Sequence, residues 1–492
     1  MDLEVTKHKI ISSLLWKFME RIGVQGIQFI VTLLLARLLL PEDFGLLVIV
    51  MIFITIATVV AQNGFNTALI QKKDADEIDF SSVFYLNLIL ATILYIILFF
   101  TAPFIALLFD QPQLTLVLRY LSLTLFLGPF QSIQYAIISR TMQFKKLFVS
   151  SLGGVILSGT VGIVMAYMNY GIWSLVVQQL LNQLVITLIL YYTLNWRPQL
   201  IFSLNRLRIL FTFGWKLLIS SLIDSVYSNI RNVFVGKLFS PAMLGFYNRG
   251  EQFPYLFIAA INGSIQSVLF PALSSQQDDK KKVKIMVRRA IVSSSFIVFP
   301  MMIGLAVIAE PLVKVLLTEK WLPAVPFLQI FCVVYIVWPI HTANLQAINA
   351  IGRSDIFLKL EIIKKGIGLI ILIISIPLGV YVMAVGVLIS SLLAVVINAF
   401  PNIVLLNYSL REQFFDIAPS LFISITMGVI VYTIKWFGFG DVLTIVIQIL
   451  LGIVVYIVLS KLFKLEPFHY LFETIKGVLK RNKSVPIKEA YE

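Results

Sequence analysis

The first long apolar run of the chain is ISSLLWKFMERIGVQGIQFIVTLLLARLLL, which extends from Ile11 to Leu40. A helix of ~20 apolar residues crosses ~30 Å of hydrocarbon, so this run can span a bilayer with tilt. Polar side chains interrupt it at steps of four, four, three and four, which places them on one helix face: Lys17, Arg21, Gln25, Gln28 and Thr32. We interpret this stripe as the wall of an aqueous cavity.

The same features return in the second half of the chain. The second stripe consists of Lys216, Ser220, Asp224, Ser228 and Arg231. The turn PEDFG at 41–45 is matched by PAMLG at 241–245, and the sequence LGP at 127–129 is matched by VWP at 337–339. An even number of helices separates the copies, so they are predicted to be parallel repeats related by an axis along the membrane normal. Two six-helix lobes around a shared central cavity follow.

Composition is typical of a polytopic membrane protein. Of 492 residues, 59% are hydrophobic and only 13% are charged, whereas soluble domains have about a quarter charged. The net charge of +14 comes mainly from short loops between apolar runs, which favours a topology signal over binding to nucleic acid. Cys332 is the only cysteine, and P-loop, HExxH and GxGxxG motifs are lacking. We therefore predict no cofactor, no metal site, no nucleic-acid partner and no ATP hydrolysis.

We predict an all-α polytopic membrane protein with fourteen transmembrane helices. The expected spans are 11–40, 44–69, 81–108, 114–139, 147–168, 171–194, 209–239, 242–270, 288–309, 324–350, 356–378, 380–406, 413–435 and 441–462. The corresponding domains are an N-terminal lobe at 1–194, a cytoplasmic linker at 195–208, a C-terminal lobe at 209–406, helices 13 and 14 at 407–462, and a cytoplasmic amphipathic tail at 463–492. The first run is interpreted as a transmembrane helix and not as a signal peptide, because charges interrupt it.

The distribution of basic residues predicts the orientation. With the N-terminus inside, Lys and Arg favour inner segments over outer loops by about five to one, so both termini should be cytoplasmic. The outer loops hold only Arg37, Lys237, Lys314, Lys320 and Lys435. Two basic, amphipathic segments, 278–289 and the tail, are expected to lie at the membrane interface, in contact with membrane lipids.

Several ionisable and amide side chains lie within the predicted spans. A charge at the bilayer centre costs ~2.5–3.5 kcal/mol, so such groups must pair, reach the interface or line water. The candidates for substrate binding in the cavity are Arg21, Arg249, Arg231, Lys17, Lys216, Gln25, Gln28, Asn63, Asn66, Asn262 and Gln266. The candidates for ion coupling are Asp224, Glu20 and Glu251. Two alternatives stay open: the lysines snorkel to the inner interface, and the amides join helices within a lobe.

These residue types favour an anionic cargo that bears sugar. Arginine grips phosphate oxygens bidentately and lysine supplies a point charge, while amides offer donors and acceptors to hydroxyl groups. Arg231 lies ten residues before Pro241 and Arg249 eight after it, which places both ~10–15 Å below the outer surface in an antiparallel hairpin. An inside-negative potential drives negative charge outward by ~2.3 kcal/mol per charge per 100 mV. Such a cargo could be exported without an ATPase.

The sequence also resembles a known family. The phrases that carry the resemblance span most of the chain: ARLLLPEDFG at 36–45, DFSSVFYLN at 79–87, GIWSLV at 171–176, FPAL at 270–273 and EKWLPAVP at 319–326. They resemble the polysaccharide-transporter (PST, Wzx-like) branch of the MOP flippase superfamily. Within that branch, the colanic acid and teichuronic acid type lipopolysaccharide exporters are the most similar group.

The resemblance implies a fold, a cargo and a location. It implies fourteen helices in two lobes, alternating access, and flipping of undecaprenyl-diphosphate-linked oligosaccharide across the bacterial cytoplasmic (inner) membrane. Polysaccharide polymerase and assembly proteins are the partners it implies. In the related lipid II flippases, cavity arginines on the first, second and eighth helices handle the diphosphate, and Arg21 and Arg249 match this at the level of the helix. The span 44–69 has no Lys or Arg, so Lys216 and Arg231 would supply that charge instead.

Three alternative functions fit the sequence less well. A MATE-type, cation-coupled drug or metabolite exporter would be expected to concentrate acids in its lobes, whereas Lys17 and Arg21 lead the first stripe. An enzyme that polymerises or ligates glycan on the same carrier would need a large outer loop, and the predicted outer loops are short. A purely structural membrane scaffold would have no use for charges at repeat-related positions within its spans.

Overall fold

The computed structural model describes residues 7–62, 64–471, 473 and 476. These residues form helices and connecting turns, and no strand occurs among them. The chain divides into two compact units, Met1–Gly245 and Phe246–Glu492, here called unit 1 and unit 2.

The described residues of unit 1 form ten α-helices. They are α1 Lys7–Met19, α2 Gln25–Leu38, α3 Pro41–Gln62, α4 Phe65–Gln71, α5 Glu77–Leu108, α6 Gln113–Leu121, α7 Thr124–Thr141, α8 Phe144–Tyr167, α9 Ile172–Thr193 and α10 Leu204–Leu238. Helix α8 packs on α9, α2 and α1, while α10 packs on α3. Small residues permit this close packing: a Cβ at Gly159 would lie 2.6 Å from Val31 on α2, and one at Gly162 would lie 2.9 Å from Gln178 on α9.

The two matching turns meet each other in unit 1. A Cβ placed on Gly45 would lie 1.7 Å from the carbonyl oxygen of Pro241, and one on Gly245 would lie 2.2 Å from the carbonyl oxygen of Pro41. The glycine of each turn therefore lies directly against the backbone of the proline in the other turn. These equivalent contacts give the two PxxxG turns a role in packing, which requires glycine at positions 45 and 245.

The predicted second and seventh spans are helical, but neither is straight. The second is interrupted after α3, where Gly64 has a φ of 89°. The seventh, α10, bends by 59° between Thr212 and Gly214. The two interruptions lie together, since a Cβ at Gly64 would be 2.2 Å from the carbonyl oxygen of Gly214. Glycine is required there by both the positive φ and the close backbone approach.

Polar contacts fix the end of unit 1 at which α5 begins. Asp76 and Asp79 form a capping box at the start of α5, and the buried Asp79 carboxylate also accepts a 2.5 Å hydrogen bond from Lys72. The segment that precedes α10 is held to the same helix, because the backbone N–H of Gln199 donates to Ser81 at 3.1 Å. The predicted linker at 195–208 is thus bound to α5 along part of its length.

Nine further α-helices are present among the described residues of unit 2, and the first begins just before the unit boundary. They are α11 Pro241–Ser274, α12 Lys280–Val307, α13 Ala309–Leu317, α14 Val325–Ile336, α15 Trp338–Ala350, α16 Ser354–Ser375, α17 Val380–Leu406, α18 Leu410–Tyr432 and α19 Asp441–Leu462. Helix α12 is central and packs on α18, α14 and α15, while α16 pairs with α17 and α18 with α19.

The sequence predicts that the basic segment at 278–289 lies at the membrane interface. It forms the first turns of α12, and its apolar face is packed in protein: Val283 and Val287 are fully buried in a cluster with Ala347 and Tyr408. Part of the charged face is paired, because Arg288 bonds to the carboxylate of Asp416 at 2.9 Å, whereas Lys281 and Lys282 are exposed. Amphipathic spacing alone could not distinguish a protein partner from a membrane. Within the predicted tail, Phe472, Ile475 and Leu479 lie outside the described residues.

The length and hydropathy of the described helices are those of a polytopic membrane protein. Of the described helices, eleven are long and apolar enough to cross a membrane, or twelve if the bent α10 is included. The predicted count of fourteen is not confirmed by this criterion. Two predicted spans fall outside it: the first is divided into α1 and α2, which have only 13 and 14 residues, and α16 contains the charged residues Lys359, Lys364 and Lys365.

Candidate functional site

The first polar stripe lies on α1 and α2, which are joined by a π-helical turn at Glu20–Val24. Such turns occur often at functional positions in helices, because they shift the side chains that follow around the axis. Lys17, Arg21 and Gln25 are exposed on this segment. The Nζ of Lys17 lies 5.3 Å from the centre of the Phe144 ring on α8. The basic part of the stripe therefore faces out of the packed interior of unit 1.

The remaining groups of this segment are less accessible. Glu20 is half-buried and lies near Ser151 as well as near Lys17 and Arg21. Gln28 is also half-buried, and its amide donates to the hydroxyl of Thr32 at 3.5 Å. Glu20 is thus held among the cations of its own helix.

The second stripe lies on α10, also in unit 1. Lys216 and Asp224 are exposed, whereas Arg231 is half-buried. Asn66 is half-buried on the short helix α4, where its Oδ1 atom accepts no hydrogen bond from the described residues. Asn63 lies outside the described residues. Unit 1 therefore contains the predicted groups from the first, second and seventh spans.

Unit 2 contains Arg249 and Glu251 on α11, each with an identified contact. A guanidinium nitrogen of Arg249 donates to the side chain of Gln252, and its Cζ lies 5.9 Å from the centre of the Trp321 ring. The carboxylate of Glu251 accepts a 2.8 Å hydrogen bond from the hydroxyl of Tyr335. A cation and an anion are thus held two residues apart on a membrane helix, each against an aromatic residue.

Aromatic rings extend from Glu251, and the sequence analysis did not single them out. The Tyr335 ring is 4.7 Å from Trp338, and the exposed ring of Tyr255 is 6.0 Å from Tyr335 and 6.1 Å from Trp338. Tyr and Trp present an apolar face with a polar tip. The spacing of two aromatics three residues apart, across the break between α14 and α15, is the signal that could have indicated this cluster.

The two predicted amides of α11 differ. Asn262 accepts a hydrogen bond from the hydroxyl of Thr342 on α15, which agrees with the alternative that such amides join helices within a lobe. Gln266 is exposed.

Each unit also contains a cavity that the sequence analysis missed. In unit 2 a cavity of about 490 Å³ is bounded by apolar side chains of α11, α12, α18 and α19, including Phe257, Met301 and Ile453. In unit 1 a cavity of about 320 Å³ is bounded by α3, α6, α7 and α9, and its walls are rich in glutamine and threonine. Gln179 and Gln183, one helical turn apart in an apolar helix, were the available signal for the second.

The comparison with protein families adds the decisive observation. Residues 34–326 match the family described as "Polysaccharide biosynthesis protein". The chain belongs to this family. Among the curated proteins similar to this chain is the lipopolysaccharide biosynthesis protein WzxC of Escherichia coli (strain K12), 24% identical over 86% of this chain and 88% of the relative.

Two further relatives support the assignment. The succinoglycan biosynthesis transport protein ExoT of Rhizobium meliloti (strain 1021) is 26% identical over 64% of this chain and 63% of its own length. The teichuronic acid biosynthesis protein TuaB of Bacillus subtilis (strain 168) is 25% identical over 72% of this chain and 73% of its own length. The predicted resemblance to polysaccharide-exporting proteins is confirmed, and so is the prediction of a multi-pass membrane transport protein rather than an enzyme.

Solved structures confirm the fold. The lipid II flippase MurJ in an inward closed conformation has a TM-score of 0.73 and 18% identity, covering 92% of this chain and 98% of that one. An inward-facing MATE multidrug transporter of the MOP superfamily has a TM-score of 0.58 and 15% identity, covering 81% and 99%. The all-helical membrane fold predicted from the sequence is therefore correct.

Proposed function

We propose that this protein flips an undecaprenyl-diphosphate-linked oligosaccharide from the cytoplasmic to the outer leaflet of the bacterial cytoplasmic membrane, by alternating access. Both termini then lie in the cytoplasm, and a polysaccharide polymerase receives the flipped unit. The observation that carries this proposal is membership of the polysaccharide biosynthesis family, combined with arginine and lysine side chains within membrane helices.

The names of the relatives support the class of cargo. They refer to lipopolysaccharide, succinoglycan and teichuronic acid, which are three different polysaccharides. Related proteins that serve three different polysaccharides are expected to recognise a feature that the cargoes have in common. A lipid carrier joined to sugar through phosphate is such a feature, whereas the identity of the sugar is not.

The positive groups support recognition of the diphosphate. Arg249 lies eight residues inside α11, or ~12 Å along the helix from Pro241. Its guanidinium group, already oriented by Gln252 and Trp321, can donate two parallel hydrogen bonds to phosphate oxygens. Lys17 and Arg21, exposed near the predicted inner end of unit 1, supply the charge that first attracts the diphosphate from the cytoplasmic side.

Unit 2 has two environments that match the two ends of the same cargo. The aromatic residues around Glu251 suit the sugar, and the apolar cavity suits the lipid. The exposed face of Tyr255 can cover the C–H face of a sugar ring, while the Glu251 carboxylate can accept hydrogen bonds from its hydroxyl groups. The cavity of about 490 Å³ in unit 2 accommodates hydrocarbon, since its walls are almost entirely apolar. A lipid chain and a sugar-bearing headgroup would thus have separate environments within unit 2.

The membrane potential supplies the driving force for export. A diphosphate diester carries about two negative charges, and each gains ~2.3 kcal/mol per 100 mV on moving toward the positive outer side. An ion gradient coupled through Asp224, Glu20 or Glu251 would add to this.

The test is export of surface polysaccharide in cells that depend on this protein. Arg249→Ala is expected to abolish export at normal levels of membrane-inserted protein, and Arg249→Lys to restore part of it, because lysine keeps the charge but loses the bidentate geometry. Arg21→Ala should likewise reduce export. Arg353→Ala is the matched control, because Arg353 is exposed and forms an ion pair with Asp355 at 2.8 Å.

Normal polymer from Arg249→Ala and Arg21→Ala cells would remove both residues from the site. Normal polymer in cells that lack the protein altogether, together with new sensitivity to cationic drugs, would instead favour a MATE-type exporter.

A further inference from the structure

The cavity of unit 1 lies between membrane helices, and the polar side chains in its walls are uncharged. Its volume is about 320 Å³, and its polar walls come from Thr55, Thr58 and Gln62 on α3, Gln131 on α7, and Gln179 and Gln183 on α9. Among the described residues that line it, none is ionisable. The cavity is therefore chemically distinct from the charged stripes on α1, α2 and α10.

Most of these side chains have hydrogen-bonding capacity to spare. Gln131 is satisfied within the protein, since its amide donates to the carbonyl of Gln183 at 3.0 Å and to the hydroxyl of Thr187 at 2.9 Å. No side-chain hydrogen bond joins Gln62, Gln179 or Thr58 to any other described residue. Gln131 thus fulfils a helix-joining role that its neighbours in the cavity do not.

One wall is shaped specifically around a glutamine. A Cβ placed on Gly128 of α7 would lie 1.8 Å from Nε2 of Gln62. The Gln62 amide therefore extends across a position where any other residue would place a side chain. The lack of a side chain at Gly128 leaves room for this amide at the cavity wall. Packing of the helix interface alone does not require this room.

The depth of the cavity makes these groups costly without a ligand. Gln183 lies at the middle of α9, and Thr124, Gly128 and Gln131 lie in the membrane-spanning part of the α6–α7 segment. Polar groups without partners at that depth cost free energy, which a bound polar ligand or water offsets. Transporter ligands also bind commonly near the membrane midplane.

We propose that this cavity binds one neutral sugar ring of the cargo, an assignment that rests on the proposed function. Amide groups both donate and accept hydrogen bonds, and threonine hydroxyls do the same, which matches the alternating hydroxyls of a sugar. The lack of cationic groups in the walls disfavours the diphosphate as the occupant. A volume of about 320 Å³ is at the small end of ligand cavities, which favours a single ring over an oligosaccharide.

The experiment compares two carriers in vesicles containing the purified full-length protein. One probe is undecaprenyl diphosphate without sugar, and the other is the same carrier bearing one glucose or one galactose. Initial flipping rates give a KM for each. The variants are Thr58→Val and Gln179→Leu, which remove hydrogen-bonding groups with little change of shape. Thr92→Val is the control, because Thr92 is exposed on α5 and bonds only to its own helix, at the carbonyl of Leu88.

The wild-type protein is expected to have a lower KM for a sugar-bearing carrier than for the bare one. Each cavity variant should raise the KM for the sugar-bearing carrier about threefold to tenfold, the equivalent of one neutral hydrogen bond, and leave the KM for the bare carrier unchanged. Equal changes for both carriers would indicate a structural role and overturn the assignment. No change for either carrier would also overturn it. Failure of the wild-type protein to move any of the probes would contradict the proposed function itself.

Discussion

The contact between the two repeated turns can be tested by adding a single methyl group. In Gly45→Ala the new Cβ would lie 1.7 Å from the carbonyl oxygen of Pro241. A carbon–oxygen contact needs about 3.3 Å, so the ends of α3 and α11 would have to part by ~1.6 Å. Because the obstacle is backbone and not a flexible side chain, rotamer changes cannot relieve it.

The size of the effect follows from the cost of overpacking. Inserting a methyl group into a close-packed contact costs about 1–3 kcal/mol, and a unit of this size loses about 2–4 °C of melting temperature per kcal/mol. We therefore expect Gly45→Ala to melt roughly 2–12 °C below the wild-type protein. Gly245→Ala, whose Cβ would lie 2.2 Å from the carbonyl oxygen of Pro41, should behave similarly but less severely.

The assay is thermal unfolding of the purified protein in detergent, followed by intrinsic tryptophan fluorescence. Gly26→Ala is the matched control, since a Cβ there meets nothing within 4 Å. The double variant, Gly45→Ala with Gly245→Ala, should lose less than the sum of the single losses, because helix ends that have parted for one methyl group leave room for the other. Melting of Gly45→Ala at the same temperature as Gly26→Ala would refute the contact.

Three other outcomes are expected. Gly128→Ala should displace the Gln62 amide, which lies 1.8 Å from the new Cβ position, and should thereby raise the KM for sugar-bearing carriers in the vesicle assay. Asp224→Asn is expected to abolish any dependence of flipping on an imposed proton or sodium gradient, and an unchanged dependence would exclude a coupling role for this exposed carboxylate. Hydrogen bonds from Arg288 hold the pKa of Glu466 below its usual value of 4.5, so this ion pair stabilises the protein above pH 4.5 and is lost as the pH falls through the lowered pKa. Amide hydrogen exchange around Glu466 should therefore be faster below the lowered pKa than above pH 4.5. Equal exchange in the two pH ranges, after correction for the intrinsic rates, would contradict the pairing.

Apolar runs and turn residues were sufficient to predict the helices of this fold. Every predicted span coincides with a helix or an interrupted helix, because a run of ~20 apolar residues in a bilayer can satisfy its backbone only as a helix. The repeated phrases PEDFG and PAMLG were also informative, although their direct contact through Gly45 and Gly245 was not foreseen. Sequence spacing shows which residues share a face and not which backbone lies against that face.

The features that escaped prediction all depend on distant partners. The break at Gly64 is understandable only beside Gly214, some 150 residues away in a different helix. The face containing Val283 and Val287 has the same spacing whether lipid or Tyr408 covers it. The amide cavity brings together Gln62, Gln131 and Gln179 from three helices, and none of the three is unusual by itself. Charged residues, by contrast, are conspicuous in apolar runs, which is why the candidate site was drawn from them.

Voltage-driven flipping of a defined cargo is the most direct measurement of the central claim. Purified protein in vesicles would be given undecaprenyl-diphosphate-linked oligosaccharide in one leaflet, and a potassium-diffusion potential of either sign would be imposed. The account predicts movement of the carrier toward the positive side, faster as the potential grows, and no protein-dependent movement with Arg249→Ala. Movement whose direction is independent of the sign of the potential and of every ion gradient would contradict this account. No movement of the carrier at all would also contradict it.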